Sequence, residues 1–123
     1  EVMIVDDEAD ARHLIRHMLE RAGATVHAAP SAIAALDELR VRHVDVLVSD
    51  IGMPDLDGYA LIARVRELPS PAATVPAIAL TAYARPEDKE KAFGAGYCAH
   101  VAKPLDMDEL IGAVATAASR AED

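Results

Sequence analysis

Tryptophan is absent from this chain, aromatic residues make up 3% of it, and there is a single cysteine, Cys98. One cysteine cannot close a disulfide within the chain, so the core must hold by burial alone, and a reducing, cytoplasmic setting is expected. Positive charge is scarce as well: 12 Lys and Arg stand against 21 Asp and Glu, a formal charge of −9. Such a surface repels polyphosphate and anionic lipid, which argues against direct contact with nucleic acid or membrane and favours a divalent cation. No apolar run approaches the roughly 20 residues of a membrane span, and no basic-then-apolar leader is expected. With 123 residues, 52% of them hydrophobic, the chain can bury an ordinary core, so disorder is excluded and one domain covering 1–123 is expected. Glu1 runs directly into apolar residues, which predicts a segment cut from a longer protein at a domain edge.

Five apolar runs of strand length recur: Val2 to Val5, Thr25 to Ala29, Val44 to Val48, Ala77 to Leu80 and Ala99 to Ala102. The first, third and fourth are too continuously apolar for a strand with one wet face, so they read as parallel strands buried on both sides. Helical periodicity fills the gaps. Ala11, Leu14, Ile15, Met18, Leu19 and Ala22 form one stripe, and Leu110, Ile111, Val114, Ala117 and Ala118 another. Ala32, Ala35, Leu36 and Leu39 repeat the pattern after Ser31, a predicted N-cap. A helix is predicted from about Gly58 to Leu68, stopped by Pro69, and a short polar one from Pro86 to Gly94 or Gly96. Ser70-Pro71-Ala72-Ala73 reads as a loop. Five βα units in succession imply an α/β fold in three layers, a doubly wound parallel sheet with helices on both faces, and the 26 alanines suit close helix-to-sheet packing.

In open sheets of this kind ligands sit beyond the carboxyl ends of the strands. Those exits are unusually polar here: Asp6-Asp7-Glu8 after strand one, Asp50 after strand three, Thr81 after strand four and Lys103 after strand five. Converging carboxylates repel one another unless a cation sits among them. Their hard oxygens suit Mg²⁺, with Mn²⁺ as an alternative, and soft ligands for zinc are too few. A carboxylate beside such an ion can attack phosphorus, while an ammonium and a hydroxyl steady the charge on the phosphoryl oxygens. Asp50, alone at the end of the third strand, is the candidate nucleophile.

The four motifs Ile4-Val5-Asp6-Asp7-Glu8, Asp50-Ile51-Gly52-Met53-Pro54 with Asp57-Gly58, Leu80-Thr81-Ala82 and Lys103-Pro104 occur in this order across the whole chain. Together they resemble the receiver domains of two-component response regulators. The resemblance implies a flavodoxin-like sheet of order 2-1-3-4-5 and a phosphorelay role, in which a phosphoryl group passes from a phosphohistidine onto Asp50. It makes Asp7 the direct Mg²⁺ ligand, Asp6 a second acidic member acting through water, and Gly52 the donor of a backbone carbonyl to the metal. Thr81 would be the switch hydroxyl, Lys103 the salt-bridging cation and Ala82 the small residue that leaves room for the phosphodonor. A cis Lys103-Pro104 bond is implied as well. At the position of the family's switch aromatic stands His100, which would tie the ring's movement to protonation near neutral pH. Gly52 and Tyr83 occupy positions that tune the lifetime of the aspartyl phosphate; Gly52 has no side chain to orient water and Tyr83 could cover the site, so slow dephosphorylation is expected.

The implied partners are a histidine kinase or histidine phosphotransfer domain and a downstream output domain or protein, with a homodimer as a further option. The likeness of residues 80–86 and 99–106 to receivers attached to hybrid sensor kinases implies a membrane-tethered kinase of that kind as the parent, with a free-standing regulator as the alternative. His13 and His17 have a metal-ligand spacing but no third ligand at suitable spacing, so a solvated face is expected. With Arg12 and Arg16 they make the first helix the most basic part of the chain, which suits partner docking. Cys98 reads as an inert small hydrophobe, and Glu87 to Lys91 as a solvated helix face. Two other functions fit less well. A phosphohydrolase with an aspartate nucleophile would ordinarily carry Asp-x-Asp after one strand, and a phosphate-independent interaction module would not need Asp7, Asp50, Thr81 and Lys103 together.

Overall fold

Each apolar run becomes a strand and each periodic segment a helix in the computed structural model, which describes residues 1–54, 56–69, 71–82 and 85–122, with side chains described as far as residue 119. In chain order the elements are β1 (Val2–Val5), α1 (Ala9–Arg21), β2 (Val26–Ala29), α2 (Ala32–Val41), β3 (Val46–Asp50), α3 (Gly58–Val65), β4 (Ala77–Thr81), α4 (Pro86–Ala95), β5 (Ala99–Ala102) and α5 (Met107–Glu122). The strands form one parallel sheet of order β2-β1-β3-β4-β5. Tyr83 lies outside the described residues, as does Ser70.

Successive strand residues point to opposite faces, and this alternation divides the core in two. Met3, Val5, Leu47, Ala77 and Ala79 meet α2, α3 and Ala92 of α4. Val2, Ile4, Val46, Val48, Ile78, Leu80 and Val101 meet α1 and α5 through Ile15, Leu19, Leu110 and Val114. The alanines do what their number suggested: Ala32, Ala35, Ala77, Ala79 and Ala92 are buried where helices lie close on the sheet. Ser31 caps α2, its hydroxyl accepting from the Ala34 amide at 3.1 Å. Pro86 opens α4, and Gly96, at φ +121°, closes it in the left-handed region that glycine tolerates.

Several boundaries differ from the periodicity. β3 starts and ends two residues later than its apolar run. Ser49 pairs with Val5 and Asp50 with Leu80, because ladder hydrogen bonds involve the backbone and are indifferent to side-chain polarity. α3 stops at Val65 rather than Leu68. The Glu67 and Leu68 amides bond to Arg64 and Val65, the tighter three-residue spacing with which a helix winds down before a proline. Ala72–Thr74, expected as plain loop, forms a 3₁₀ turn. Leu14 is 53% exposed despite its place in the first helical stripe; the stripe that α1 presses on the sheet is narrower, carried by Ile15, Met18 and Leu19.

Among the described residues no helix is long and apolar enough to cross a membrane.

Candidate functional site

The parallel order puts the carboxyl ends of all five strands on one edge, and the central strands β1, β3 and β4 deliver Asp6, Asp50 and Thr81 there. All three are buried. Lys103 follows β5, and its amide donates to the Thr81 carbonyl at 2.7 Å, which fixes the chain direction from which the side chain leaves. The Lys103–Pro104 bond is cis. From there the ammonium lies 3.3 Å from Asp50 Oδ1 and 3.8 Å from Asp6 Oδ2. The Gly52 amide adds a longer contact of 3.3 Å to Asp50 Oδ1.

One cation does not neutralise the cluster. Asp6, Asp7 and Asp50 each offer an oxygen, all within 4.8 Å of one another. Asp6 accepts from the Glu8 amide through Oδ1 at 2.9 Å, whereas its buried Oδ2 has no hydrogen bond. Burial raises the Asp6 carboxyl above the usual carboxylate range; the negative charge of Asp50 pushes the same way, and the Glu8 amide pushes back. A buried carboxylate oxygen with no donor, aimed among two other carboxylates, is the kind of atom a divalent cation satisfies. The donor set is all oxygen, so it fits a hard ion. Asp7 is exposed at the mouth of this group.

The loop after β3 folds back hard on Asp50. The Met53 and Gly58 amides both donate to the Ile51 carbonyl at 3.0 Å, and Asp57 caps α3 through the Ala60 amide at 2.9 Å. Gly58 is pressed against the strand end so closely that a Cβ there would lie 2.8 Å from both the Asp50 carbonyl oxygen and Ile51 Cα. Gly52, by contrast, has nothing within 4 Å of where a Cβ would stand. Ala82 is exposed beside Thr81.

His100 sits on β5 opposite Ala79, with both ring nitrogens shielded from solvent. His13 and His17 are exposed, as expected for a solvated face. Arg12 departs from the basic surface assigned to it: its guanidinium turns back to donate to the Asp6 carbonyl at 2.8 Å. It therefore braces the strand-one exit, and no periodicity signals that, because the contact depends on how α1 leaves the sheet. Sequence reasoning also missed Ser49 and Tyr97, two buried hydroxyls behind Asp50. Ser49 Oγ donates to the Asp50 carbonyl at 3.1 Å, and the Tyr97 hydroxyl donates to the Gly58 carbonyl at 2.7 Å. The paucity of aromatics was the available signal for Tyr97, since a ring placed on a connection between elements in so aromatic-poor a chain has to be there for something.

Known proteins resemble this chain in sequence and in fold. The family model described as response regulator receiver domain matches residues 2–115. The chain is 50% identical over 111 residues to an uncharacterised 14.6 kDa protein encoded in the sodA1 3′ region of Leptolyngbya boryana, covering 90% of this chain and 84% of that one. It is 33% identical over 109 residues to the sensor histidine kinase RcsC of Escherichia coli K12; this spans 89% of the chain and only 11% of the kinase. The structure of the Francisella response regulator 1452 receiver domain superposes with a TM-score of 0.89 at 29% identity, covering 97% of this chain and 96% of that one.

Proposed function

Because this chain belongs to the response regulator receiver domain family of two-component signalling, we propose that Asp50 accepts a phosphoryl group from a phosphohistidine. The observation that carries the reading is the Lys103 ammonium 3.3 Å from Asp50 Oδ1 at the edge of an under-neutralised acidic cluster. An Asp50 oxygen forms the new bond to phosphorus as the bond from phosphorus to the donor nitrogen breaks, and the bonding pair leaves with the imidazole. Lys103 lies where charge gathers on the transferred oxygens, and Thr81, on the neighbouring strand end, supplies a hydroxyl to the same place. Asp7, Asp50 and the Gly52 carbonyl would hold Mg²⁺, with Asp6 acting through water and Mn²⁺ as an alternative ion. When bound, the metal screens the carboxylates from the incoming phosphoryl group and shares its charge.

The reaction modifies the protein itself, once per phosphoryl group, so turnover of a separate phosphomonoester is not expected. Phosphorylation would shift a two-state equilibrium in which Thr81 moves toward the phosphoryl group and His100 repacks, altering the face read by an output domain or protein. The kinase relatives make a histidine kinase or phosphotransfer domain the expected partner. They also support this stretch, residues 1–123, being one module of a longer chain. Exposed His13, Arg16 and His17 on α1 are offered as part of the docking surface.

Incubation with Mg²⁺ and acetyl phosphate is expected to add one phosphoryl group per chain by intact mass, removable by hydroxylamine as an acyl phosphate should be. No adduct, with Mg²⁺ binding intact and a histidine phosphodonor also ineffective, would favour a phosphate-independent interaction module. Gly52 has open space around it, so Gly52→Asn should fold normally and give an attacking water something to bond to. Its aspartyl phosphate is expected to hydrolyse about tenfold faster than that of the wild type, less than the ~10²–10⁴ of a general base because an amide orients water without taking its proton. An unchanged lifetime would remove Gly52 from the account of slow dephosphorylation.

A further inference from the structure

Tyr97 is 3% exposed and packs in the core with α2 and α3. Phenylalanine would supply the same apolar contact, and a hydroxyl brought into that setting is tolerated only with a partner. Its partner is the carbonyl of Gly58 at 2.7 Å. Burial pushes the phenol's ionisation well above its ordinary value, so the group stays a donor.

Gly58 is a sensitive place to hold. It is the first residue of α3 and the last of the loop from Asp50; its amide closes that loop on the Ile51 carbonyl, and its Cα lies hard against the Asp50 and Ile51 backbone. A shift of Gly58 therefore moves Asp50, Ile51 and Gly52 with it. Behind the same strand end, Ser49 donates to the Asp50 carbonyl at 3.1 Å. The other end of α3 is tied to the same turn. Arg66, the residue after α3, donates to the Gly96 carbonyl at 2.7 Å and to the Val75 and Ala73 carbonyls at 2.6 and 3.1 Å. The connection from α4 to β5 thus straps α3 at both ends, and Tyr97 is the strap nearest the acceptor.

We infer that Tyr97 is a positioning residue for the phosphoacceptor site: its hydroxyl holds the loop from Asp50 to Gly58 in the register that metal binding and phosphoryl transfer at Asp50 require. The inference rests on the function proposed above. It also links that loop to the α4–β5 turn by a path separate from Thr81 and His100.

The test is Tyr97→Phe, which keeps the ring. Mg²⁺ affinity is measured by calorimetry at a temperature where the protein is fully folded, together with hydrogen exchange at the Met53 and Gly58 amides. Mg²⁺ binding about tenfold weaker, the low end of what losing an outer partner costs a metal site, and faster exchange at both amides are expected. Ser31→Ala, which removes the α2 cap, is the control: it lowers the melting temperature and leaves Mg²⁺ affinity unchanged. A Tyr97→Phe protein that loses stability while binding Mg²⁺ as the wild type does would make the hydroxyl a packing feature and overturn the inference. Should Tyr97→Phe not fold in plain buffer, the same two measurements in a stabilising osmolyte such as sucrose decide, with the loss of about tenfold expected there too and unchanged affinity overturning it. A wild type that neither binds Mg²⁺ nor takes up phosphate sinks the proposed function itself, whereas a wild type that does both beside an indifferent Tyr97→Phe sinks only this inference.

Discussion

Asp50→Asn is expected to take up no phosphoryl group under conditions that load the wild type to one per chain. The amide oxygen carries no formal charge and is a far weaker nucleophile than a carboxylate, so it attacks phosphorus poorly and forms no stable acyl phosphate. The neighbouring carboxylates are not expected to take over. Asp6 is held through Oδ1 by the Glu8 amide, and Asp7 lies out at the exposed mouth of the cluster. The substitution should leave the fold standing. Asparagine can still accept from the Gly52 amide, and what it loses is an ion pair with a Lys103 side chain that is 29% exposed, a contribution discounted by solvent. Near-equal melting temperatures beside the all-or-none difference in mass would assign the loss to chemistry. An adduct persisting in Asp50→Asn would put the acceptor elsewhere in the cluster.

Asp6→Asn is expected to have opposite effects on the metal-free and metal-bound protein. Without metal the buried Asp6 carboxylate is a liability: its folded-state pKa is raised, first by burial and then by Asp50. The folded protein therefore binds the proton more tightly than the unfolded chain. The corresponding stability is fully present below the ordinary carboxylate range and is lost as pH rises through the raised value. Above the raised value the wild type has lost it, while asparagine has no charge to bury. The metal-free Asp6→Asn protein should thus melt several degrees higher than the wild type, on the order of 1–2 kcal/mol, and the gap should close as pH is lowered toward the ordinary carboxylate range. With Mg²⁺ at about 100 times its dissociation constant the wild type gains roughly 2.7 kcal/mol, and Asp6→Asn should show less than half of that rise. Calorimetric melts with chelator and with Mg²⁺, across pH, read both effects. A metal-free Asp6→Asn protein no more stable than the wild type would mean that Lys103, 3.8 Å away, already neutralises the carboxylate.

The residues that meet at the site were legible one by one, because each follows an apolar run and a parallel sheet sends every run to the same edge. The sheet brings Asp6, Asp50, Thr81 and Lys103 together as those strand exits require. The boundaries were less legible. Hydrophobic pattern reports which side chains are buried, while the ladder and the helix ends are set by backbone pairing, so β3 runs on through Ser49 and Asp50 and α3 tightens before Pro69.

By itself the amino-acid sequence determined the βα alternation, the two-sided burial of the central strands and the acidic chemistry at their carboxyl ends, since these depend on local periodicity and residue type. The tertiary structure alone decided that Asp6 Oδ2 is left without a donor, that Arg12 turns back to the strand-one exit, that Gly58 lies against the Asp50 backbone and that Tyr97 reaches Gly58 from 39 residues away. Those facts depend on distances between segments whose separation along the chain bears no relation to their separation in space. Close packing converts such distances into hydrogen bonds or hard contacts.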